Sequence, residues 1–302
     1  MPDVSALVEN DMKKFSRILA VCFLAVSCAQ TPSPQKSSAN NESVLIKYPV
    51  VLVHGIVAHD RGGIVYFWGR IPEVLRQKGI KVFFGNTDAW GSYESNAEIL
   101  KTTIEAVLHE TNSEKVNIIA HSKGGIDSRY LIWKYDFGDK VASLTTISTP
   151  HQGAEIADRI YKQEIIHSDI TKRALAVFGE LYGDANPDMY NVNYQLTTER
   201  MKAFNEEVTR DARVYYHSMY TTMNNSFDDP MFFYSYWYLK NAAGDNDGIV
   251  SEYSAKWGDN ITKISGRISH AEILDIKARK ISGIDIPNIY VNIVRDLGEK
   301  GF

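Results

Sequence analysis

Short apolar runs recur along this chain, separated by longer stretches in which apolar residues return every three or four positions. Residues 48–53 (Tyr-Pro-Val-Val-Leu-Val), 81–84, 116–120, 141–148 and 213–220 are rich in β-branched, aliphatic and aromatic residues over the length of a strand. Runs of this kind fit strands buried on both faces. Between them, residues 67–78 place Trp68, Ile71, Val74 and Leu75 on one side of a helix. Residues 95–110 do the same with Ile99, Ile104, Val107 and Leu108, and 125–134 and 287–297 also read as helices. Alternating strands and helices predict an α/β fold, with a mostly parallel central sheet, helices on both faces and right-handed crossovers.

The stretch 153–209 interrupts this alternation with a helix-like pattern. A structureless loop of that length is improbable in a compact domain, so the stretch predicts a helical lid insertion. The expected organisation is a leader over 1–27, a flexible tether over 28–43 rich in Ser, Pro, Asn and Gln, and one domain over 44–302.

The leader has a basic head, Met12-Lys13-Lys14-Phe15-Ser16-Arg17, and then eleven mostly apolar residues, 18–28. That run is shorter than the roughly 20 residues that span a bilayer and fits a signal peptide. Acidic residues before Met12 make Met12 the candidate true start. The run closes on Ala25-Val26-Ser27-Cys28, which resembles a bacterial lipobox. Acylation of Cys28 would anchor the protein to a membrane, each buried methylene contributing about 0.8 kcal/mol. A cleaved signal ending near Ala29 and a buried core segment are the alternatives. The expected location is extracytoplasmic, anchored or secreted.

Composition narrows this little further. Apolar residues make up 44 % of the chain and charged residues 23 %, with a net charge of −4. No long basic run points to nucleic acid. The two cysteines, Cys22 and Cys28, both fall in the leader, so the rest of the sequence offers no disulfide and no thiolate metal site.

The chemistry-bearing motif is Ala120-His121-Ser122-Lys123-Gly124-Gly125, between a predicted strand and a predicted helix. A nucleophile elbow needs this context, with small residues two places either side of the Ser. Ala120 and Gly124 fill those places, Ala standing where Gly is usual. His54-Gly55-Ile56 ends the first strand and suits an oxyanion loop. The N–H groups of Ile56 and Lys123 are the candidate donors. Asp247 in Gly244-Asp245-Asn246-Asp247-Gly248 and His270 in Ser269-His270-Ala271 complete the order Ser, Asp, His expected of an α/β-hydrolase. Asp245 is the rival acid. Among the other histidines, His54 and His121 flank the site, and His151 is expected at its rim. His217 sits in a strand, and His59, His109 and His167 read as solvated. The aromatic stretch 231–238 flanks an acyl groove or packs in the core.

With these pieces the chain resembles the bacterial true lipases of the Pseudomonas and Burkholderia type, from residue 48 to the C-terminus. The resemblance rests on Tyr48-Pro-Val-Val-Leu-Val-His-Gly55, Phe67-Trp-Gly-Arg-Ile-Pro72, Val116-Asn-Ile-Ile-Ala-His-Ser-Lys-Gly-Gly125 and Thr146-Ile-Ser-Thr-Pro-His-Gln-Gly153. It continues in Leu196-Thr-Thr-Glu199, Phe204-Asn205 and Asn246-Asp-Gly248. It implies hydrolysis of triacylglycerols or other carboxyl esters, through Ser122, His270, Asp247 and an acyl-enzyme, with no cofactor required for the chemistry. It also implies a mobile lid within 153–209 and one structural calcium, with Asp229 and Glu272 in the places of carboxylate ligands. The family has Asp where Glu272 stands, and two unrelated surface acids are the alternative. A thioesterase, a polyester depolymerase and a non-catalytic lipid-binding lipoprotein are the rival functions.

Overall fold

The computed structural model describes residues 43–56, 60, 67–169, 171–173, 175, 179 and 184–302. The leader, the tether except Ser43, His59 and part of the 153–209 insertion lie outside the described residues.

Six strands form one sheet: β1 (Val50–Val53), β2 (Val82–Phe84), β3 (Val116–His121), β4 (Val141–Ile147), β5 (Tyr215–Thr222) and β6 (Ile261–Arg267). Their order is β2-β1-β3-β4-β5-β6, and every pairing among them is parallel. Around them stand α1 (Ile71–Gln77), α2 (Tyr93–Thr111), α3 (Lys123–Lys134), α4 (Glu155–Tyr161), α5 (Met189–Gln195), α6 (Thr198–Glu207), α7 (Phe233–Ala242), α8 (Glu252–Ala255) and α9 (Ile286–Glu299).

The uniform apolar character of the central strands follows from burial on both faces. Val50 and Leu52 of β1, with Ile119 and Ile147, pack against Ile71 and Leu75 of α1 and against Tyr290, Val294 and Leu297 of α9. Val51 and Val53, one position out of phase, join Ile118, Ala120 and Leu144 against Leu100, Ile104 and Val107 of α2 and Leu131 and Ile132 of α3. Each such side chain contributes about 1.5–3 kcal/mol on full burial, so the period-two assignment of faces fixes the register.

Two elements differ from expectation. The helix predicted from residue 67 begins at Ile71, because Gly69 adopts φ +48 and a Cβ there would lie 2.3 Å from the Asp275 carbonyl oxygen. Trp68 is buried all the same, its indole N–H donating to Asp60 at 2.9 Å. Strand β6 carries no apolar run. It pairs at the sheet edge, only Ile264 is buried, and Lys263 and Arg267 mark a charged edge.

The described part of the 153–209 insertion is helical: α4, a 3-10 turn at Glu164–His167, α5 and α6. Val192, Met201 and Phe204 from it form a third cluster with Trp90, Tyr93 and Ile126.

Candidate active site

Strand β3 and helix α3 meet at Ser122, whose φ of 52° and ψ of −130° are costly for a residue with a Cβ. Such conformations cost on the order of 1–3 kcal/mol and persist only where the surroundings over-determine them. Here the Ser122 N–H donates to the Ile147 carbonyl at 2.9 Å, and the Thr149 hydroxyl donates to the Ser122 carbonyl at 2.8 Å. Gly124 has to be glycine, since a Cβ would lie 2.3 Å from the His54 carbonyl oxygen. Ala120 fits within the core on the α2 side of the sheet.

The turn presents the Ser122 hydroxyl to His270, with Oγ 3.0 Å from Nε2. On the other side of the ring, Nδ1 lies 2.8 Å from Asp247 Oδ2. Asp247 Oδ1 accepts the N–H groups of Ile249 at 3.0 Å and Val250 at 2.8 Å, which fixes the carboxylate. The His270 N–H donates to the Asp247 carbonyl at 2.8 Å, tying the two loops together. All three side chains are buried. Asp245, the rival acid, is exposed and pairs with Lys240 at 2.5 Å.

Gly55 lies against the nucleophile: a Cβ there would approach Ser122 Cβ to 2.7 Å and Oγ to 3.2 Å. Ile56 follows it directly. Lys123 is the first residue of α3, where an N–H has no partner within the helix. The Lys123 side chain turns away into the core, its ammonium 2.8 Å from both oxygens of Asp127 one turn on. Asn96 adds a third contact to Asp127 at 2.8 Å. Burial pushes the Asp127 carboxyl above its usual value, against the pull of Lys123.

The flanking histidines support the site. His121 is fully buried, and burial, reinforced by His270, holds it well below its ordinary pKa. It is therefore neutral, and its Nε2–H donates to the His270 carbonyl at 3.1 Å. His54 is also buried, with Nε2 2.9 Å from the Thr87 carbonyl. His151, expected at the rim, is instead completely buried. It stacks on Trp257 and bridges Arg129 at 3.1 Å and the Thr146 hydroxyl at 2.9 Å. Arg129 itself is buried, which pulls its pKa down to about 9, and it stacks over Trp257 at 3.9 Å. His217 bonds Thr262 in the sheet, and His109 and His167 are exposed. In the aromatic stretch, Tyr236 is buried, whereas Tyr234 and Trp237 face outward.

Asp229 and Glu272 are buried and do converge, beside His270, but around a lysine. Lys277 Nζ lies 2.7 Å from Glu272 Oε1 and 3.3 Å from Asp229 Oδ1. The donor set expected for calcium therefore does not fit it: an ammonium group already bridges the two carboxylates. Among the described residues, no group of three or more His, Cys, Asp or Glu side chains could hold a metal ion. Sequence reasoning missed Lys277, which stands in a polar run, Lys277-Ala-Arg-Lys280, with no motif around it.

The chain is similar to known proteins in both sequence and fold. The family described as palmitoyl protein thioesterase matches over residues 49–237. Triacylglycerol lipase 2 of Saccharomyces cerevisiae is 30% identical over 264 residues, covering 79% of this chain and 75% of the yeast protein. A triacylglycerol lipase of Burkholderia plantarii is 32% identical over 203 residues, covering 62% of this chain but only 55% of that lipase. In fold, the mature Bacillus licheniformis lipase BlEst2 superposes with a TM-score of 0.61 at 21% identity, over 87% of this chain and 96% of that one. The chain thus belongs to the α/β-hydrolase lipases, within the family that the palmitoyl protein thioesterases define, and is a carboxylic ester hydrolase of the serine type.

Proposed function

We propose that Ser122 is the nucleophile, His270 the general base and Asp247 the orienting acid of a lipase acting on triacylglycerols and related acyl esters. The observation that carries this reading is the unbroken chain from Ser122 Oγ through both nitrogens of His270 to Asp247, on a serine held at φ +52°. A serine hydroxyl is a weak nucleophile until an imidazole takes its proton. Ser122 Oγ adds to the ester carbonyl carbon as its proton passes to His270 Nε2, and the oxyanion receives the N–H groups of Ile56 and Lys123. Each such donor contributes roughly 2.7–4 kcal/mol to the transition state. His270 then gives the proton to the leaving alkoxide, and the acyl group stays on Ser122. Water, deprotonated by the same imidazole, releases the acid and regenerates the hydroxyl.

The triacylglycerol assignment draws on the yeast and Burkholderia relatives and their names. The palmitoyl protein thioesterase match favours a second reading, in which the acyl group arrives as a thioester. Ser122→Ala should abolish burst release of p-nitrophenol from a long-chain ester and labelling by a fluorophosphonate, with the fold retained. Retained turnover would remove Ser122 from the reaction. Emulsified triglyceride and a palmitoyl thioester, offered side by side, separate the two substrate readings by kcat/KM.

The described helices α5 and α6 within the 153–209 insertion are proposed as part of the lid, since they pack in one cluster with Trp90, Tyr93 and Ile56. The leader is proposed to direct the protein out of the cytoplasm, with acylated Cys28 as its membrane anchor. Mass spectrometry of the mature N-terminus reads this directly. A diacylglyceryl-modified Cys28 supports the anchor, whereas an unmodified start near Ala29 leaves a secreted enzyme.

A further inference from the structure

We infer that Lys277 is a positioning residue for the catalytic histidine, its ammonium serving in place of a bound divalent cation and making the enzyme independent of calcium. The inference rests on the assignment of His270 as the base. Asp229 and Glu272 come from distant parts of the chain and are both almost fully buried. Two buried carboxylates side by side repel, and each loses its hydration, so a cation between them is needed to hold the pair closed. Lys277 supplies it, reaching both acids from a partly exposed position.

The remaining oxygens of the same carboxylates grip Ser269, the residue before the histidine. Asp229 Oδ2 accepts the Ser269 hydroxyl at 2.6 Å, and Glu272 Oε2 accepts the Ser269 N–H at 3.1 Å. The Glu272 N–H in turn donates to the Ser269 hydroxyl at 3.2 Å. Ser269 is thereby fixed from two sides, one peptide bond from the imidazole that must meet Ser122 within 3.0 Å. A displacement of about 1 Å at such a contact is enough to cost on the order of 100-fold in rate. Glu272 reaches far enough for its single carboxylate to bridge the Ser269 N–H and the Lys277 ammonium.

The test uses the full chain and a water-soluble p-nitrophenyl ester, with kcat and KM measured in chelator and in millimolar Ca²⁺. Wild-type turnover should be the same in both. Lys277→Ala should lose tenfold or more in kcat with KM nearly unchanged, Lys277→Arg should retain most of it, and Ca²⁺ should raise the kcat of Lys277→Ala alone by filling the vacated carboxylate pair. Loss of wild-type activity in chelator would overturn the inference, and this arm reads out even if Lys277→Ala fails to fold. So would a folded Lys277→Ala enzyme with wild-type kcat in chelator, or one whose kcat calcium does not raise. Ser122→Ala, assayed alongside, separates the two questions: if it is inactive while Lys277→Ala is normal, the triad stands and only the positioning role falls.

Discussion

Asp247 divides its carboxylate between structure and chemistry. Oδ1 is taken up by two backbone N–H groups, leaving Oδ2 for the His270 Nδ1–H. Asp247→Asn presents either an amide oxygen or an amide N–H to the imidazole and can no longer stabilise the imidazolium. Turnover should fall by about 10⁴-fold, as in the best-characterised serine triad. Asp245→Asn should leave kcat within about twofold, because an exposed ion pair such as Asp245–Lys240 contributes at most about 1 kcal/mol even to stability. A tenfold or larger loss in Asp245→Asn, measured side by side, would reverse the assignment of the acid. Gly55 makes a second prediction at this scale. The Cβ of Gly55→Ala would press on Ser122 at 2.7 Å, and the nucleophile or the oxyanion loop has to yield. A kcat loss on the order of 100-fold, with an unchanged melting temperature, is expected from such a misplacement. These residues were legible because their chemistry demands unusual local sequence: small residues around a strained serine, and a Gly-flanked acid loop. The assembly of Asp229, Glu272 and Lys277 was not, since an ammonium group leaves no spacing rule, and a pair of acids suited to a metal reads identically when a lysine fills the gap.

Helix α3 carries the elbow at its first turn and anchors that turn through a buried ion pair. The Lys123–Asp127 pair lies one helical turn apart, both partners nearly free of solvent contact, with Asn96 of α2 completing the shell. Removing one member of a buried pair leaves the other charge uncompensated, at a cost of about 3–5 kcal/mol. Asp127→Ala should therefore lower the unfolding free energy obtained from urea denaturation by that amount and weaken catalysis through the position of the Lys123 N–H. Asp127→Ala with Lys123→Met, which removes both charges, should recover most of the stability. A single variant that melts like wild type would show the pair to be energetically silent. Elements with period-two or period-3.6 apolar patterns, such as β1, β3 and α2, were readable to within a few residues. Strand β6 was not, because an edge strand with only Ile264 buried lacks the pattern that marks its neighbours. Nor was the true start of α1, which a contact to Asp275, two hundred residues away in sequence, displaces to Ile71.

At the scale of the whole molecule, burial couples folding to pH among the described residues, most strongly through His121 and His151 and more weakly through His217. His121 and His151 are fully buried, and burial holds both well below their ordinary pKa. The groups facing them offer no carboxylate to stabilise a proton: His121 meets His270 and His54, and His151 meets Arg129, Thr146 and Trp257. In the unfolded chain each titrates near 6.5. Below that value the unfolded state binds protons that the folded state refuses, so stability is lost as pH falls and is fully present above about pH 7. The slope should approach about 1.4 kcal/mol per pH unit for each histidine between pH 6 and 5. Urea denaturation across pH 5–8 measures it, and His151→Asn should lower the slope by one histidine's share, about 1.4 kcal/mol per pH unit, whatever its effect at pH 8. An unchanged slope in that variant would mean that His151 takes up its proton in the folded state, despite the Arg129 guanidinium at its Nδ1 and its stack on Trp257.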